Sequence, residues 1–209
     1  MKIEVKSVVD AVADSIVEMI VSGQISAGDV LAEGVLAESM HVSRNSVREA
    51  IRGLRATGLV AHYRNKGTMV TTPSRHDIEE LYQARQSLEI GAIRSGFRPE
   101  QLAAVRTAYD LLAETSATGD KLATVRRDLA FHMSIVDLYG NSRLSEFFRN
   151  MMIELLFCLR SASYHEDTMT TAAEHQPIMS ALSSGDCEEA ASLLAKHIDL
   201  NGRKVLALF

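Results

Sequence analysis

Apolar positions recur at helical spacing along most of the chain, and they give way to short alternating runs only between residues 59 and 70. Val8 to Ser22 reads as an amphipathic helix ended by Gly23, and Ile25-Ser-Ala-Gly28-Asp as a turn. Leu36 to Met40 predicts a short helix and His41-Val42 a turn. Ser43 is a good N-cap for a helix running to about Thr57, with Gly58 just past its end. At about 100° per residue, Val47, Ala50, Ile51 and Leu54 of that helix fall on one arc and face a core. Arg44, Arg48, Arg52 and Arg55 fall together on a neighbouring arc. A helix with a buried face beside a cationic face can pack on its own domain and still enter a DNA groove.

Leu59-Val60 leads into two β-like runs that reach Val70 around a polar, basic turn, the pattern of a wing in which Lys66 and the Gly67 backbone can approach phosphate. His62 lies beside it. Thr71 to Asp77 forms a boundary, because Pro73 stops regular structure. Beyond it only helices are predicted, at 77–96, 99–118, 120–139, 142–163, 168–184 and 186–207, with breaks at glycines and loop polar residues. The expected fold is mainly α: an N-terminal winged helix-turn-helix over 1–72, a linker at 73–77, and an all-α bundle of about six helices over 78–209.

Charge sharpens the first half of this picture. The chain of 209 residues is acidic, with a net charge of −5. Residues 41 to 66 nevertheless carry Arg44, Arg48, Arg52, Arg55, Arg64 and Lys66 against Glu49 alone. An acidic total excludes a general nucleic-acid coat but permits one focused basic patch. Composition, 46% hydrophobic and 23% charged, is that of a globular protein. The start of the chain is charged and no apolar run reaches membrane-spanning length, so neither a signal peptide nor a membrane partner is expected. Cys158 and Cys187 lack disulfide or metal spacing and read as reduced thiols of a cytoplasmic protein.

Within the bundle, three histidines lie mid-arc on apolar helix faces. His132 sits among Val125, Leu129 and Val136, His175 among Ile178, Met179 and Leu182, and His197 among Ala190, Leu193, Leu194 and Leu200. Asp128 lies one turn before His132 and faces the same way. One such histidine is most often a satisfied core residue. Three with a carboxylate also match the ligands of zinc, nickel, iron or manganese. The sequence leaves both readings open, because nothing in it brings the helices together. Arg85, mid-arc among Ile78, Leu81, Leu88 and Ala92, either pairs with Glu89 one turn on or clamps a ligand carboxylate. Arg160, beside Ile153, Leu156 and Phe157, is a second candidate clamp, and Asn141 either caps a helix or touches ligand.

Ile20-Val-Ser-Gly23, Gly28-Asp-Val-Leu31, Leu36-Ala37, Val42-Ser-Arg44, Val47-Arg-Glu-Ala50, Leu54, Gly58-Leu-Val60 and Gly67-Thr-Met-Val70 together resemble the GntR family of bacterial winged-helix regulators. The resemblance implies that Arg44, Asn45, Ser46, Arg48 and the wing-tip Gly67 meet DNA, and the charge pattern adds Arg52 and Lys66. One departure is Gly34, where relatives often carry a basic residue that touches DNA. Arg85-Gln-Ser-Leu-Glu89, Asp128-Leu-Ala-Phe-His132, Gly140-Asn141, Glu174-His175, Gly185-Asp186 and His197 look like the FCD domain of the FadR branch of that family. The resemblance implies that Asp128, His132, His175 and His197 bind a divalent metal, zinc first, beside a small organic-acid effector.

The expected protein is therefore a homodimeric bacterial regulator, nucleoid-associated, that binds a pseudo-palindromic operator and acts as a repressor under effector control. It is not expected to be an enzyme. Two rivals stay open at this point: a metal-dependent hydrolase-like bundle joined to a DNA-binding module, and a constitutive DNA-binding dimer with a structural metal.

Overall fold

This computed structural model describes residues 7–163 and 168–208, the side chains of 159–163 excepted. The chain divides into two compact units, Met1–Thr72 and Pro73–Phe209. No helix among the described residues is long and apolar enough to cross a membrane.

In the first unit, α1 (Val8–Ser22) starts at a capping box in which Ser7 and Asp10 satisfy each other's backbone amides, and it ends at Gly23 with φ 83°. It buries Val12, Ile16, Ile20 and Val21 and packs on α3 (Arg44–Leu54). Between them α2 (Glu33–Ser39) begins three residues before the predicted Leu36. His41, at φ 54°, makes the turn into α3. The α-helical part of α3 stops at Leu54, and a 3-10 turn carries the chain through Thr57 to Gly58. Val47, Ala50, Ile51 and Leu54 are all buried.

The wing is β1 (Val60–Tyr63) paired antiparallel with β2 (Gly67–Val70), Val60 opposite Val70 and Tyr63 opposite Gly67. The segment after the Ile25–Asp29 turn adds a further edge. Val30 bridges Met69, and the Leu31 amide donates to the Thr68 carbonyl at 2.8 Å. Alternation does not announce this edge, because only one residue pairs.

In the second unit, α4 (Arg75–Arg94), α5 (Pro99–Ser116), α6 (Lys121–Val136), α7 (Ser142–Ser163), α8 (Thr168–Ser184) and α9 (Cys187–Leu206) form an all-helical body. Ser74 caps α4 in a box with Asp77, so the helix starts inside the stretch expected to be linker. A 3-10 turn, Asp137–Tyr139, ends the α6 segment before Gly140. α4 packs on α9 and α6, α5 on α6 and α8, and α8 on α9. These contacts put the inward faces of α4, α6, α8 and α9 around one interior.

At Gly202, α9 lies tightly against the Tyr82 ring of α4. A Cβ there would lie 2.9 Å from Tyr82 Cδ1, and the Tyr82 hydroxyl is itself held by Asn201 Oδ1 at 2.5 Å. The ring cannot retreat without losing that bond. Gly202→Ala is therefore expected to lower stability by about 1–3 kcal/mol through overpacking, despite a helix-propensity gain of up to about 1 kcal/mol. A urea melt checks the sign: an unchanged or raised midpoint would mean that the helices separate at no cost.

Candidate DNA interface and candidate metal centre

The first unit presents a cationic face. Ser43 Oγ accepts from the Ser46 amide at 3.0 Å, which fixes the start of α3. Arg44, Asn45, Arg48, Arg52 and Lys66 are exposed, and Ser46 and Gly67 are half-buried. The Ser46 hydroxyl lies 2.9 Å from Ser43 Oγ, so it serves the cap as well as facing outward. Between α3 and the wing lies a groove of about 560 Å³ lined by Glu33, Arg48, Arg52, Arg55, His62 and Gly67 among others. His62 Nδ1 faces Thr68 Oγ1 across the wing strands at 3.4 Å. Asn65 (φ 67°) and Gly67 (φ 86°) shape the hairpin turn that carries Lys66.

Two features of this face were not legible in the sequence. Arg48 donates through Nε to Glu33 Oε2 at 3.0 Å, with Nη2 also 3.0 Å from that oxygen. The two residues lie fifteen apart on different helices, so no spacing rule links them. The Arg44 guanidinium also lies over Gly34, where an added Cβ would meet it at 3.6 Å. The small residue thus leaves surface for Arg44 to cover.

In the second unit, Asp128 and His132 on α6, His175 on α8 and His197 on α9 converge, with ligand atoms all within 4.8 Å of one another. His132 and His175 are fully buried, and Asp128 nearly so. Leu200, at the edge of the His197 arc, instead faces solvent. Phe131 walls the cluster, edge-on to His132 and His175 with centroids 5.6 and 5.1 Å away. The His175 and His197 rings are 4.2 Å apart.

Hydrogen bonds behind the rings decide which nitrogens face inward. The His132 Nδ1 lies 2.5 Å from Glu89 Oε2, and the His175 Nδ1 lies 2.6 Å from the Thr171 carbonyl oxygen. A carboxylate and a carbonyl only accept, so both Nδ1 atoms carry the proton. In the neutral rings both Nε2 atoms are then lone pairs, and they face each other at 3.2 Å. His175 Nε2 is also 3.0 Å from Asp128 Oδ1. His197 Nε2 is buried with no hydrogen-bond partner among the described residues, while its Nδ1 is 3.9 Å from Glu174 Oε2.

Facing lone pairs beside a buried carboxylate need a shared positive charge, either a proton or a metal ion. Burial works against ionisation of Asp128, yet His175 and then His132 outweigh it and hold the carboxyl well below its usual range. Burial lowers His175 as well, but Asp128 overcomes it and raises that ring. Burial, with His175 and His132, pushes His197 far down and keeps it neutral. Three inward imidazole nitrogens, one of them orphaned, and an ionised carboxylate fit a divalent metal and match the zinc donor set.

Arg85 on α4 lies alongside, 1% exposed. Its Nε donates to Glu89 Oε1 at 2.9 Å, so the ion pair with Glu89 is present. The guanidinium carbon lies 5.2 Å from the centre of the Tyr82 ring, and Nη2 is buried with no hydrogen-bond partner among the described residues, leaving one edge of the fork for another anion. Burial opposes the Glu89 charge, but His132 and Arg85 together hold its carboxyl below the ordinary value. Glu89 and Thr171 are the residues that sequence reading missed as parts of this centre. Only the tertiary fold brings them to the rings.

One candidate effector residue is not brought here. Asn141 is exposed, and its Oδ1 accepts from the Arg143 and Leu144 amides at 3.0 and 3.4 Å, so it caps α7 instead. The Arg160 side chain lies outside the described residues.

Comparison with known proteins matches residues 8–70 to the model of bacterial regulatory proteins, gntR family, and residues 80–200 to the FCD domain. The chain is 29% identical over 194 residues to a "Probable D-xylose utilization operon transcriptional repressor" of Paenarthrobacter nicotinovorans, covering 92% of this chain and 86% of that protein. It is 28% identical over 203 residues to the HTH-type transcriptional regulator LutR of Bacillus subtilis (strain 168), covering 86% and 93%. A solved structure described as "the crystal structure of a putative transcriptional regulator GntR from Rhodococcus sp. RHA1" superposes with a TM-score of 0.85 at 29% identity, covering 98% of this chain and all of that one.

Proposed function

Because the chain belongs to the gntR family of bacterial regulatory proteins, carries an FCD domain and is therefore a transcriptional regulator rather than an enzyme, we propose that it is a homodimeric repressor whose operator affinity is set by a small carboxylate bound beside a divalent metal. The observation that carries this reading is the buried Arg85 Nη2 without a hydrogen-bond partner among the described residues, next to a cluster of three inward imidazoles and Asp128. Charge supports it. Arg85 and Glu89 offset each other, which leaves Asp128 in surplus. A divalent ion held by Asp128, His132, His175 and His197 would turn that surplus positive, and a buried positive centre beside a guanidinium fork suits a carboxylate. Zinc fits the donor set best; nickel, iron and manganese also accept it.

The repressor sign rests on the relative described as a "Probable D-xylose utilization operon transcriptional repressor". Two copies would place two α3 helices in successive major grooves of a pseudo-palindromic operator, with Arg44, Asn45, Ser46, Arg48 and Arg52 toward the groove and Lys66 and Gly67 toward the backbone. Effector bound in the helical unit would favour one of two dimer arrangements and so change DNA affinity.

The test is elemental analysis of protein purified without chelator or affinity-tag metal, then thermal melting against a panel of small carboxylic acids. Near-stoichiometric metal is expected, with one acid raising the melting temperature in the metal-loaded form alone. Metal that stabilises while no acid does would favour a structural ion in a constitutive regulator. Absence of both would reduce the histidines to core residues.

A further inference from the structure

We propose that Glu89 is the positioning residue of this centre: it sets the tautomer of His132 from behind and so determines metal affinity, while tying that ring to Arg85. The inference rests on the metal reading above. Glu89 is completely buried on α4 and spends both oxygens, Oε1 on Arg85 Nε at 2.9 Å and Oε2 on His132 Nδ1 at 2.5 Å. A carboxylate at Nδ1 compels the proton to sit there and leaves the Nε2 lone pair aimed at His175 and Asp128. His175 receives the same treatment from a main-chain carbonyl, which no substitution removes. Among the described residues, the carboxylate that faces the His197 Nδ1 is that of Glu174 at 3.9 Å, beyond hydrogen-bond reach. Among the three rings, His132 is thus the one whose orientation depends on a replaceable side chain, and that side chain also holds the buried guanidinium.

Glu89→Gln isolates the effect because it keeps shape and volume. A glutamine has one accepting oxygen and one donating amide. If the oxygen stays on Arg85, the amide faces His132 Nδ1, drives the proton to Nε2 and blocks ligation. If the amide turns to Arg85, two donors oppose each other in the core. Neither arrangement preserves both bonds.

The experiment uses the full chain stripped of metal and titrated with zinc against a chromophoric competitor, wild type beside Glu89→Gln. Nitrogen-15 NMR of the metal-free proteins reads the histidine tautomers. A ten- to hundredfold weaker zinc affinity is expected for the variant, about the range for loss of a partner behind a ligating histidine. His132 is expected as the Nδ1–H tautomer in the wild type and not in the variant. Equal affinities with an unchanged tautomer would overturn the role of Glu89. A wild-type His132 protonated at Nε2 would overturn it even if the variant did not fold. A wild type that binds no zinc but shows the Nδ1–H tautomer would overturn the metal reading, and the affinity claim with it.

Discussion

His175→Ala is expected to bring bound metal down to background and to make thermal melting indifferent to chelator. His175 is the hub of the cluster: its Nε2 is 3.2 Å from His132 Nε2 and 3.0 Å from Asp128 Oδ1, and its ring rests against His197. Removing it leaves two imidazoles and one carboxylate on two helices, and it takes α8 out of the set altogether. Asp128 then loses the neighbour that contributes most to keeping it ionised. Metal bound only by the native state stabilises it by about 4 kcal/mol when the free ion is a thousandfold above its dissociation constant, and that whole contribution would go. The wild type should therefore melt lower after chelation and the variant should not shift. Full metal content in the variant would show that the coordination set is wrong.

Periodicity made the faces legible, and the limits of periodicity explain what stayed hidden. The 3.6-residue repeat fixes which side chains share an arc, so the buried stripe of α3 and the inward positions of His132, His175 and His197 follow from the sequence alone. Helix ends were marked by glycines that adopt positive φ, as at Gly23, Gly58, Gly140 and Gly185. What an arc does not specify is the arc it meets. The Arg85–Glu89 pair is an i, i+4 relation within α4 and could be weighed beforehand, but the second bond of Glu89 crosses to α6. The Thr171 carbonyl is main chain and carries no residue signal. The pairing of Val30 with β2 and the early start of α2 at Glu33 are likewise tertiary effects, since Ala32 makes no side-chain cap. Asn141 suits either a helix cap or a ligand contact by sequence, and local chemistry makes it the cap.

Arg48→Ala is expected to weaken binding to an operator selected from random duplexes by about ten- to a hundredfold per bound copy, near the 1–3 kcal/mol of one arginine–base contact, while leaving the fold intact. The side chain is 58% exposed and its ion pair with Glu33 is a surface pair, so its loss costs the domain little. The effect on DNA is larger than that of deleting one charge. In the free protein Glu33 occupies the Nε edge of Arg48 and neutralises it, leaving the other edge of the guanidinium open toward the groove. Without Arg48, the Glu33 carboxylate stands bare on a face that must meet phosphates, and repulsion adds to the missing contact. Glu33→Gln in the Arg48→Ala background should accordingly recover part of the loss by removing the repulsion, without restoring the preference between operator and unrelated duplex. Anisotropy titrations over a range of salt separate the two contributions, because a phosphate contact changes the salt slope by about one and a base contact changes discrimination instead. Wild-type affinity for the Arg48→Ala protein would sink the assignment of α3 as the recognition helix.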